Sequence, residues 1–186
     1  MDNYNIYFCC NIWYFKIGIS NSKFDFLFIT IIMLLKEIVD ARRYAFYDTA
    51  ADWEEAVTMS CRPLVDTGCV TPEYAEDVIR SVRELGPYIV ILPGLAIPHS
   101  TEHPEHALST AVGFVRLKEP VAFPSDHEED GVQLFFALSA ENKEEHLKNM
   151  RRLFTILSNE ELIEALKGAE SPKELLALEE KFLFPQ

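Results

Sequence analysis

The chain has 186 residues, 48% hydrophobic and 25% charged, the balance of a globular domain with one sizeable core. Against 17 basic side chains stand 30 acidic ones, a formal charge of −13. That disfavours nucleic acid, whose phosphates need clustered Lys and Arg, and suits either a basic protein partner or solubility alone.

Residues 1–32 differ from the rest. They contain no Ala, Glu, Arg, Pro or Val, and Asp2 and Asp25 cancel Lys16 and Lys23, so the whole net charge lies beyond them. The apolar run Phe26–Leu35 is half the length of a membrane span, which takes about 20 residues. No basic region or small-residue cleavage site frames it as a signal peptide. The expectation is an atypical leader over 1–32 with no catalytic role, a natural start at Met33, and one domain over 33–186. Cys9, Cys10, Cys61 and Cys69 form no C-x-x-C pair. An adjacent pair suits neither a structural bridge nor a zinc site, so reduced thiols in a cytoplasmic protein are expected.

From Met33 the elements alternate. A short helix over 33–42 precedes YAFYD. Asp48 or Thr49 is the expected cap of a helix to Asp66 ended at Gly68, with Trp53, Ala56, Val57, Leu64 and Val65 as its apolar stripe and Pro63 as a kink or break. Thr71 is expected to cap the next helix, with Pro72 at its first position and Tyr74, Val78, Val82 and Leu85 on one face; Gly86-Pro87 ends it. Tyr88–Leu92 is a continuous apolar run, expected as a strand buried on both sides. Leu95–Ile97 is a second short strand, 104–110 a helical turn, and 111–117 and 132–140 two further strands around the polar loop FPSDHEEDG. Three helices follow, opened by Asn142 with Glu145, Ser158 with Glu161, and Ser171 with Pro172 and Glu174. The pattern predicts an α/β fold, one sheet with helices on both faces.

Five histidines carry the available chemistry: His99, His103, His106, His127 and His146. Pro98 fixes the backbone immediately before His99. An imidazole there suits three roles: a phosphoryl acceptor with Ser100 and nearby amides as donors, a metal ligand, or a packed side chain. The spacing of His99, His103 and His106 suggests zinc, but Pro104 opposes the continuous helix that would align them. His103, His106 and His127 sit in polar surroundings and read as inert. His146 falls in the first turn of its helix on the face of Met150, Leu153 and Leu157. It therefore points toward the core where the helix dipole favours anions, or it is a core-edge histidine.

Gly94-Leu95-Ala96-Ile97-Pro98-His99 resembles the active-site motif of the type-2 enzyme IIA domains of the bacterial phosphotransferase system, the mannitol, fructose and ascorbate group. The resemblance extends over residues 33–186. Arg83-Glu84 stands sixteen residues before the histidine, as a basic residue and Glu do in that family. ENKEEHL places the family's second histidine at His146, and GCVTPEY fits as well. DWEEAV and ELGPYIVILPGLAIPHS look most like the ascorbate-specific branch, although Ser100-Thr101 replaces the Ala-Arg often found there. The resemblance implies a mixed, roughly five-stranded sheet flanked by helices on both faces. It implies phosphorylation of His99 by HPr, support from His146, charge compensation by Arg83, and transfer to a cysteine of a IIB domain that serves a membrane IIC protein. It implies neither a metal nor an organic cofactor. A regulatory protein of the same family, acting by phosphorylation-dependent binding, is the alternative.

Overall fold

The computed structural model describes residues 33–100, 102–124 and 131–183. Residues 1–32, expected as a leader, with their Cys9 and Cys10, and His127 lie outside the described residues, as does most of the polar loop after β4.

The described residues form six helices and five strands, in chain order α1 Leu34–Asp40, β1 Tyr44–Tyr47, α2 Trp53–Asp66, α3 Tyr74–Leu85, β2 Val90–Leu92, β3 Leu95–Ala96, β4 Ala111–Val121, β5 Val132–Ser139, α4 Lys143–Leu157, α5 Glu160–Lys167 and α6 Pro172–Leu183, with a 3-10 turn at Pro104–His106. The strands form one sheet in the order β1-β4-β5-β3-β2. It is mixed: β1 runs parallel to β4 and β3 parallel to β5, whereas β4–β5 and β2–β3 are antiparallel.

Alternation along the strands makes the two cores. On β5, Leu134, Phe136 and Leu138 face the layer of α1, α4, α5 and α6, where they meet Leu34, Leu153, Leu162 and Leu175. Phe135 and Ala137 face α2 and α3, among Val57, Leu64, Val78 and Val82. The expected α/β sheet with helices on both faces is the observed architecture.

Several local expectations differ in informative ways. The cap of α2 is Asp52, whose side chain accepts from the Glu55 amide, rather than Asp48 or Thr49. Asn159 likewise caps α5 in place of Ser158. Each time the acceptor nearest the first helical turn wins, because only it reaches the orphan amides. Thr71 and Pro72 form a turn ahead of α3, which has no side-chain cap. Helix α2 continues through Pro63, itself buried, because its apolar stripe packs against the sheet along its length. At the carboxyl end of α3 Leu85 is 71% exposed, while Tyr74, Val78 and Val82 are buried. Strand β2 is only half-buried, since among the described strands it is the edge of the sheet. Where the expectation matched, the chemistry is plain: Asn142 caps α4 by accepting from Glu145, and Gly86 adopts a φ of 82° that a side chain would strain.

Candidate active site

Parallel pairing of β3 with β5 builds the site. Leu95 stands opposite Leu134 and Ala96 opposite Phe135. Both strands therefore reach the same edge of the sheet, β3 running into Pro98-His99 and β5 into Asn142 and the first turn of α4. The ring centroids of His99 and His146 lie 5.3 Å apart with their planes tilted by 46°. The carboxyl ends of parallel strands are where open α/β sheets bind ligands, because there the chain turns away and leaves a crevice.

The backbone around His99 is bonded at every residue. The Ile97 amide donates to the Ile89 carbonyl at 2.8 Å, and the Pro98 carbonyl accepts from the Leu138 amide at 2.9 Å. The His99 carbonyl accepts from the Tyr88 hydroxyl at 2.5 Å. The Ser100 amide donates to the Tyr74 hydroxyl at 3.2 Å, and that hydroxyl donates to the Leu138 carbonyl at 2.6 Å. Three residues before Ile97, Gly94 turns β2 into β3 with a φ of 81°.

The His99 ring is fixed as well. Its Nδ1 lies 2.8 Å from the Ile97 carbonyl, which only accepts, so Nδ1 carries the proton and Nε2 keeps the lone pair. Burial holds the His99 pKa below the ordinary imidazole value, against the opposing pull of the Ile97 carbonyl. His146 is lowered too, by burial first and by the neighbouring His99 second. At neutral pH both rings are uncharged, the state a nitrogen nucleophile requires.

Arg83 is paired with Glu54. Its Nε and NH2 donate to the two oxygens of Glu54 on α2 at 2.8 and 2.6 Å, and its side chain is 60% exposed. Ser100 gives its amide to Tyr74, and its hydroxyl oxygen accepts from the Glu102 amide at 3.3 Å. His103 and His106 gather on the buried Asp77 of α3: His106 Nδ1 donates to Asp77 Oδ2 at 2.5 Å, and Arg80 pairs with the same carboxylate. That pairing raises the His106 pKa and ties the segment after His99 back to α3. Among the described residues no group of three His, Cys, Asp or Glu is placed to hold a metal ion. Cys61 is buried, its thiol pushed up to about 12 by burial, and inert.

Sequence reasoning paired His99 with His146 but missed Tyr74, Asp77 and Tyr88. Tyr74 and Tyr88 sit in apolar patterns where Phe would read the same. A hydroxyl within such a pattern is their single signal, since a buried one needs a partner.

At one carboxyl edge of a mixed α/β sheet, two histidines stand side by side, and among the described residues none is hydrogen-bonded to Nε2 of His99. The family model described as phosphoenolpyruvate-dependent sugar phosphotransferase system, EIIA 2, matches residues 37–181. The chain belongs to this family and is a phosphotransferase component. It is 34% identical over 128 residues to the mannitol-specific cryptic phosphotransferase enzyme IIA component of Escherichia coli K12, covering 68% of this chain and 84% of that one. With the ascorbate-specific PTS system EIIA component of the same organism it shares 31% over 131 residues, 69% of this chain and 83% of that one. Among solved structures, a putative PTS IIA from Streptococcus mutans superposes with a TM-score of 0.71 at 33% identity, over 80% of this chain and 93% of that one. The Escherichia coli mannitol enzyme IIA, solved in complex with phosphorylated enzyme IIB, gives 0.65 at 30% identity, over 75% and 94%.

Proposed function

We propose that His99 is the phosphorylated residue and that the chain relays a phosphoryl group from HPr to a IIB domain during sugar uptake. The observation that carries this reading is the His99 ring itself, with Nδ1 bonded to Ile97, Nε2 without a hydrogen bond among the described residues, and His146 as its neighbour. In the first step the Nε2 lone pair forms a bond to the donor's phosphorus as the donor's P–N bond breaks. The electron pair of that bond returns to the donor imidazole, and Nδ1 keeps its proton. In the second step a IIB cysteine thiolate attacks the same phosphorus and His99 leaves with its lone pair restored. His146 orients His99 and donates to the phosphoryl oxygens, aided by the positive end of α4. The domain that does this spans 33–186, and the leader over 1–32 has no part in it.

We place the chain in the cytoplasm with HPr and IIB, meeting the membrane IIC protein through IIB. No described helix is long and apolar enough to cross a membrane. L-Ascorbate is the sugar we favour, on DWEEAV and on the run from Glu84 to His99; the mannitol and ascorbate relatives are about equally similar. The test starts from chain labelled by enzyme I, HPr and phosphoenolpyruvate, then offered ascorbate-type and mannitol-type IIB. The ascorbate-type IIB should take the label faster, and a preference for the other overturns the choice of sugar.

Arg83 is the third proposed participant. Its exposed pair with Glu54 is worth about 0–1 kcal/mol, so a phosphoryl group can draw the guanidinium away at small cost. Arg83→Ala should slow phosphoryl acceptance several-fold with no change in thermal stability. A wild-type rate would leave Arg83 as Glu54's partner and nothing more.

A further inference from the structure

We propose that Tyr88 is a positioning residue for the His99 imidazole, holding it in the Nδ1-protonated form with Nε2 free. The inference deepens the phosphoryl-acceptor reading and rests on it. Tyr88 touches His99 twice. Its hydroxyl donates to the His99 carbonyl, and its ring stands edge-on to the imidazole, centroids 5.3 Å apart and planes at 82°.

The two contacts act on different degrees of freedom. The Nδ1 bond to Ile97 spans two residues and forms only when the backbone between them holds one conformation. Hydrogen bonds from Ile97 and to Pro98 fix the start of that segment, and the Tyr88 hydroxyl fixes its end by anchoring the peptide plane after His99. The aromatic edge then limits rotation of the imidazole about its own side-chain bonds. Ring and carbonyl of the same histidine are thus held by one residue.

Tyr88 is itself well supported. Its amide donates to the Gly86 carbonyl at 2.8 Å, and the Val90 amide to the Pro87 carbonyl at 3.0 Å, so the Gly86-Pro87 turn determines where the phenol emerges. Burial raises the phenol pKa, which keeps its proton available for the His99 carbonyl throughout the neutral range. Tyr74 secures the adjacent Ser100 amide, whereas the Tyr88 ring stands against the imidazole itself, so the ring-directed role falls to Tyr88.

The decisive variant is Tyr88→Phe, which keeps the aromatic edge and removes only the hydroxyl. Two readouts are taken on the full chain: the rate of phosphoryl acceptance from phospho-HPr, and the His99 ring nitrogen chemical shifts of the unphosphorylated protein. In wild type the shifts should report one tautomer, with Nδ1 protonated. In Tyr88→Phe they should report a mixture, with acceptance slowed by up to about tenfold, the reach of one lost hydrogen bond. Tyr88→Leu, which removes the edge as well, should slow it further.

A folded Tyr88→Phe protein with the wild-type tautomer and rate overturns the proposal, whatever Tyr88→Leu does. A slowed rate with the wild-type tautomer also overturns it, since Tyr88 would then act elsewhere, on the docking partner or the phosphoryl group. Wild-type protein that takes no label sinks the phosphoryl-acceptor reading instead, which separates the two failures.

Discussion

Replacing His99 by alanine should abolish phosphoryl incorporation from phospho-HPr while the protein stays folded. No neighbouring group can take over. The Tyr74 and Tyr88 hydroxyls are committed to carbonyls, and both phenols are pushed above their ordinary pKa by burial. The Ser100 hydroxyl lacks a base among its hydrogen-bond partners, and His146 is offset from the position that Nε2 of His99 occupies. Label that persists in His99→Ala and disappears in His146→Ala would reverse the two roles. The pH profile carries a second test. Burial lowers the His99 pKa, so the nucleophilic neutral ring persists below pH 6.5, the ordinary imidazole value. Acceptance should stay level on acidification through that point and fall only beneath it, and a midpoint above it would contradict the burial argument. The sign for stability follows from the same shift. Between the folded and unfolded values the unfolded chain binds the extra proton, so acidification through that window weakens the fold. His99→Ala should remove that contribution.

His146→Ala should slow transfer by about 10²-fold, the cost of removing one well-placed donor at a developing charge, and leave folding intact. The side chain is half-buried at the start of α4, whose cap is made by Asn142 and whose apolar anchors are Leu153, Ile156 and Leu157. Its loss therefore exposes little core. His146→Gln keeps a donor of similar reach and should recover part of the rate, because an amide N–H can replace an imidazole N–H toward a phosphoryl oxygen. A stopped-flow or quench measurement of acceptance, alongside thermal melts of each variant, separates the outcomes. Full activity in His146→Ala would reduce His146 to a packing residue. Equal losses of rate and melting temperature would make the rate effect structural.

The two histidines show how far local pattern reaches. His99 was legible because Pro98 and the apolar run before it mark a strand ending on an imidazole. His146 was legible because helical periodicity put it on the face of Met150, Leu153 and Leu157. Their contact was expected from family resemblance, but its distance depends on the parallel register of β3 and β5, which pairing between distant segments decides. Arg83 shows the opposite case. Family resemblance implied a role for it beside the phosphoryl group, and nothing in the local pattern marked Glu54 on α2 as its partner in the unphosphorylated chain. Leu85 fits the same helical face as Val82, yet at the last turn of α3 it is left exposed.

The sequence by itself determined the alternation of elements, the α/β class, the rigid exit of His99 from its strand and the inward face of α4. These follow from side-chain periodicity, proline and glycine geometry, and capping acceptors, all acting over a few residues. Tertiary structure alone decided that β2 is an edge, that His103 and His106 belong to Asp77, and that Tyr88 holds both ring and carbonyl of His99. Those outcomes depend on which distant surfaces bury each other, and an aromatic residue in an apolar run carries no local mark of where its hydroxyl will bond.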